Sequence, residues 1–176
     1  MLEALTTLFL PWSEFYADSS WLPTTILAVH MLALFTGGGM AIAADRRVLM
    51  VVPDAPIALQ HAAEELQTTH ALVIGALVLT VLSGVALATS DLGTFAVSTV
   101  FWAKMATLVV LLSNGAYMRR MESRVLAAAS GPSAALTEAA FLPSLQRQWT
   151  ALRRSAVISA TAWSVMVVLG VVLSNV

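Results

Sequence analysis

His30, Lys104, Met105 and Met166 are the residues of this chain best placed for chemistry, because each stands inside a long apolar run and the four fall at similar depth. His30 lies in 26 uncharged residues between Asp18 and Asp45, and Lys104, the only lysine, interrupts an otherwise apolar run over 97–118 with Met105 beside it. Met166 lies in the 22 uncharged residues that follow Arg154. An ionisable side chain inside a membrane is costly and marks a function or a specific partner. With a helical rise of ~1.5 Å per residue, His30 lies about 13 Å below the outer boundary, Lys104 about 9 Å and Met166 about 12 Å. A neutral imidazole with thioether sulfurs suits soft Cu(I), and the scarcity of carboxylates argues against Mg²⁺ or Ca²⁺. The competing structural account is that the methionines fill core gaps, His30 bonds a neighbouring helix and Lys104 snorkels outward.

Two further constellations involve histidine. His30 and His70 are the histidines within apolar runs, and haem b would need two on facing helices at matching depth. Counted from a turn near Val52 and Pro53, their levels differ by about 9 Å, a poor fit to axial ligation of one iron. His61, Glu64 and Glu65 share a helical face by i, i+3 and i, i+4 spacing, while His70 at i+9 points the other way. They do not form an HExxH or ExxH motif; they read as a solvated helix start or, alternatively, as a proton or metal access site. The run Gly37–Gly39 follows no strand and is no phosphate loop, so close helix contact or bending is its expected role. The absence of Cys excludes thiolate metal sites, thiol nucleophiles and disulfides. No Ser/His/Asp arrangement in an accessible pocket points to an enzyme.

The elements that must position these residues are membrane helices. The sequence is 59% hydrophobic and 11% charged, with net charge −1, which gives no reason to expect nucleic acid and makes lipid the natural solvent. Four runs can each cross a hydrocarbon core, which needs about 20 helical residues. Spans are expected at about 21–44, 66–90, 97–118 and 153–174, within one domain covering 1–176. Residues 1–20 are read as an interfacial segment with Trp12, Phe15 and Tyr16 at headgroup level, since Glu3 and Pro11 spoil a cleavable signal. Ser20 and Pro23 start the first span and Asp45, Arg46 and Arg47 end it. The third is expected to stop at Arg119 and Arg120, leaving 119–152 as a loop.

Eight of the nine Lys and Arg residues fall in the segments 45–65 and 119–154. Basic loops stay cytoplasmic, so both termini should lie outside, on the periplasmic side of a bacterial-type inner membrane. Small residues at Ala33, Gly37 and Ala41, and at Ala156, Ala160 and Ser164, would let helices approach. The expected fold is all-α, an integral membrane antiparallel four-helix bundle.

Phe101, Trp102, Ala103 and Lys104, then Asn114, Arg119 and Arg120, and then Leu152 to Val157 resemble the membrane core of copper-resistance D type proteins. The segment His30 to Gly39 is similar to the His-bearing span of that group and of related small four-span proteins of unknown function. The resemblance covers about 100 residues in three pieces. It implies copper passage or handling, carried onto His30 and Lys104. The chain departs from the group in having half the spans of its larger members and in placing Ser159 where they often have an acid. A half-size protein would pair with a second copy or another membrane subunit to form a path. Three functions thus remain open: metal handling, with copper foremost; a non-catalytic accessory subunit of a larger membrane complex; and a haem b electron-transfer subunit.

Overall fold

A backbone in hydrocarbon must satisfy its own N–H and C=O groups, and a helix does so within a single segment. In the computed structural model the apolar runs are accordingly helical. The structure describes the backbone of residues 2–51, 56–130 and 138–173, and side chains within these ranges except 56–68, 125–130 and 138–145. Six helices follow in order among the described residues: α1 (Leu2–Asp18), α2 (Leu22–Met50), α3 (Pro56–Ser90), α4 (Leu92–Val97), α5 (Thr99–Ser130) and α6 (Glu138–Leu173). Four stretches are long and apolar enough to cross a membrane: Leu22–Met50, Thr69–Ser90, Thr99–Arg124 and Gln146–Leu173. The protein is a polytopic membrane protein whose long helices pack in pairs, α2 on α3 and α5 on α6, with α2 also on α6.

Helix ends depart from the expected positions for a common reason. Helix α2 does not stop at Asp45, Arg46 and Arg47 but runs on to Met50. Asp45 turns inward while both arginines stay exposed, so the charges divide between two faces of one helix. The Arg153 guanidinium then donates to the Leu49 carbonyl at 3.1 Å, supplying a cation at the last turn of α2. Helix α5 likewise continues past Arg119 and Arg120, with Met118, Met121 and Glu122 buried and both arginines exposed. Much of the expected loop over 119–152 is therefore helix, ending at Ser130 in α5 and resuming at Glu138 in α6.

Two apolar cores lie along the bundle. The first comprises Leu34, Ala41, Leu111, Ala162, Trp163 and Met166, and the second Val48, Met118, Met121, Trp149, Leu152 and Ala156. Gly37 and Gly38 make the first core close. A Cβ on Gly37 would sit 3.0 Å from the Ala76 Cβ, and one on Gly38 only 2.9 Å from the Trp163 ring, whereas one on Gly39 would meet nothing within 4 Å. The small-residue face expected on α2 is buried at Ala33, Gly37 and Ala41. On α6 the inward stripe is instead Ala156, Ser159, Trp163 and Met166; Ser164 is exposed, its hydroxyl turned back to the Ala160 carbonyl. Asn114 and Ser155 lock α5 to α6 with a reciprocal pair, amide to Ser155 carbonyl at 3.0 Å and Ser155 hydroxyl to Asn114 Oδ1 at 2.7 Å.

The two ends of the bundle differ. At one, here the α1 end, Trp12 Nε1 donates to the Ala86 carbonyl and the Ser13 hydroxyl to the Ser90 carbonyl, tying α1 to the last turns of α3. The other, the arginine end, carries Arg46, Arg47, Arg119, Arg120, Arg153 and Arg154, all exposed.

Candidate functional site

His30 on α2 is 4% exposed. Its Nδ1 lies 2.9 Å from the Ser83 hydroxyl on α3. That hydroxyl is itself 2.6 Å from the Leu79 carbonyl and 3.2 Å from the Thr80 carbonyl. A hydroxyl has one hydrogen. With that hydrogen directed to its own helix, the Ser83 oxygen can accept from His30 Nδ1–H, and in that tautomer Nε2 keeps its lone pair. Gly84 makes this possible, because a Cβ there would stand 3.2 Å from His30 Cε1.

His30 lines a cavity of ≈ 330 Å³ at the α1 end, and Lys104, Met105 and Met166 line the same cavity. The structure thus brings these four residues, matched only in depth by the sequence, to one space. Tyr16 from α1, Phe95 from α4 and Phe101 from α5 also contribute to its wall. Gly170 leaves room for Lys104, whose Nζ lies 3.7 Å from where a Cβ would stand. Met31 lines the cavity as well, and the sequence reading missed it. The signal was present, since Met31 follows His30 directly, but depth alone does not give facing direction. The lining includes one imidazole and three thioethers, soft donors suited to a soft monovalent metal, beside the Lys104 amine and the Tyr16 and Thr80 hydroxyls. Among the described residues no group of three or more His, Asp or Glu side chains is placed to hold a metal.

A second polar constellation occupies the arginine end. His70 Nδ1 on α3 lies 3.0 Å from Glu122 Oε2 on α5. Asp45 on α2 is within electrostatic reach of both, and Ser159 on α6 faces its carboxyl. Asp45 and Glu122 are each 2% exposed. One oxygen of each, Asp45 Oδ2 and Glu122 Oε1, is buried without a hydrogen-bond partner. Asp45, His70 and Ser159 line a cavity of ≈ 480 Å³. The two cavities meet at a shared layer of Leu77, Val81, Leu111 and Trp163.

The sequence reading took Asp45 for the end of a span and Glu122 for part of a loop. Their neighbours carried the missing signal: Asp45 is four residues from Ala41 and three from Val48, and Glu122 four from Met118, all buried. His70 pairs with Glu122 and is not brought to His30. The Ser83 partner of His30 is thirteen residues further along α3, about 20 Å of helix. The side chains of His61, Glu64 and Glu65 lie outside the described residues.

No protein-family model, curated protein or solved structure matches the chain, so the identity that geometry and comparison establish together is that of a polytopic membrane protein with four apolar helices.

Proposed function

We propose that this protein handles a soft monovalent metal, copper foremost, in the cavity at the α1 end, with His30, Met31, Met105 and Met166 as ligands. One observation supports this reading: His30 Nδ1 lies 2.9 Å from a Ser83 hydroxyl that bonds its own helix, and His30 lines a cavity that three methionines share. Metal-bound histidines characteristically donate their other N–H to a fixed partner, and the Ser83 contact matches that arrangement. When protonated, Lys104 in the same wall repels a divalent ion more strongly than a monovalent one. The metal would approach from the outside if the basic loops are cytoplasmic, as charge distribution argues.

The test is competition for Cu(I) between a chromophoric chelator and the purified protein. Wild type should withdraw copper from the chelator, His30→Ala should lose that ability, and Ser83→Ala should weaken it about 10- to 100-fold. Failure of wild type to compete, or equal competition by His30→Ala, would sink the reading. An optical spectrum of unstripped protein tests the haem b alternative in the same preparation, through its Soret band.

A second reading rests on a separate observation. In the most apolar stretch of each span, a third of the residues of α2 and α6 are buried, against 11% in α3 and 6% in α5. The α3–α5 side thus leaves room for a second copy or an accessory-complex subunit. Mass analysis after purification in mild detergent distinguishes these from a lone chain.

A further inference from the structure

We infer that the arginine-end cavity binds a lipophilic organic cation at Asp45, with a proton as the competing occupant. The argument begins with charge. Two buried carboxylates, Asp45 and Glu122, face one imidazole, His70, and one hydroxyl, Ser159, each from a different long helix. His70 lies against Glu122 and can neutralise one carboxylate when protonated. Arg119 contributes to the cavity wall, but it is exposed, as are Arg46, Arg47, Arg120 and Arg153 around this end. Water and ions screen such exposed charges, and a buried carboxylate cannot rely on them.

Among the described residues two buried carboxylates thus face one imidazole, and Asp45 Oδ2 and Glu122 Oε1 are buried without a hydrogen-bond partner. An ionised carboxylate oxygen buried without a partner is unfavourable by several kcal/mol. Either a proton or a bound cation removes that penalty. A metal ion is not indicated, since no group of three or more His, Asp or Glu side chains among the described residues is placed for one.

The cavity defines the chemistry of the cation. Beyond its polar end it is walled by Val73, Ile74, Leu77, Leu111 and Trp163, and its ≈ 480 Å³ far exceeds what a small inorganic ion would fill. An inorganic ion would lose its hydration against those side chains without compensation. An ammonium or phosphonium with apolar substituents places its charge at Asp45 and its body on the aliphatic wall, where the indole adds cation–π attraction. The least buried helices, α3 and α5, form the opposing walls, so the ligand reaches the site from the lipid. These residues are distinct from the four of the α1-end site, and either proposal can fail without the other.

Titration calorimetry of the intact purified protein with methyltriphenylphosphonium tests the inference, with the neutral, similarly shaped triphenylphosphine oxide as the control ligand. Near pH 8 the cation should bind at least about tenfold more tightly than the oxide, a factor equivalent to about 1.4 kcal/mol. At lower pH its binding should weaken as protons compete with it at Asp45, and buffers of different ionisation enthalpy should reveal proton release on binding. Asp45→Asn should abolish the preference for the cation over the oxide. No binding by wild type, equal binding of the two compounds, or an unchanged preference in a folded Asp45→Asn protein would each overturn the inference. The wild-type comparison decides the matter even if the variant does not fold.

Discussion

At the α1 end a single histidine meets a single serine hydroxyl at 2.9 Å, with Lys104 in the wall of the same cavity. At the arginine end the acids outnumber the imidazole, hydrogen bonds leave two oxygens unmet, and four helices each contribute one member. The first arrangement fixes one side chain without demanding that the bundle hold together. In the second, a buried charge loses its compensation if any one helix withdraws. A membrane interior thus accommodates polar groups in two ways: by preparing a lone ligand, or by making helices mutually dependent.

The contrast can be tested by breaking each end. His70→Ala should have the largest effect, since it leaves Glu122 and Asp45 buried without the imidazole they face; a loss of about 3 kcal/mol is expected, read as a lower thermal midpoint in mild detergent. His30→Ala should lose less than half as much. Equal losses would erase the distinction between the ends. Gly38→Ala, at the layer between them, forces a methyl against the Trp163 ring at 2.9 Å and should lower stability by about 2 kcal/mol by the same measurement. The neighbouring Gly39→Ala meets open space and should change stability by no more than about 0.5 kcal/mol. Ser155→Ala removes a hydroxyl bond of 2.7 Å to Asn114, and interhelical bonds of this kind are worth about 1 kcal/mol in membranes. Smallest in stability should be Ser83→Ala, which returns a hydroxyl bonded mainly to its own helix; its effect belongs to copper competition.

What the sequence made legible follows from helix geometry. A constant rise converts position into depth, so His30, Lys104, Met105 and Met166 could be placed in one layer from numbering alone, and they line one cavity. The four long apolar helices were legible for a similar reason, because lipid demands uninterrupted apolar length. Facing direction was not, and its loss explains the residues missed. Met31 went unnoticed beside His30. Asp45 and Glu122 were assigned to solvent because charge at the end of an apolar run ordinarily marks the exit from a membrane. Here the exposed arginines beside each acid carry that exit, while the acids turn inward on the same helices. A reading that weighed Ala41, Val48 and Met118 by helical spacing would have found the buried side. The absence of the Cβ at Gly37 and Gly38 was also visible, but its partner Trp163 lies on another helix and no local pattern links them.

Trp163 is the wall that both cavities share, and it is held where it is by the glycines of α2. An exposed side chain changes rotamer within nanoseconds, but an indole packed against Gly37 and Gly38 turns only when the helices beside it separate, a collective motion of microseconds to milliseconds. Any exchange between the chambers would therefore wait on the breathing of α2 against α6.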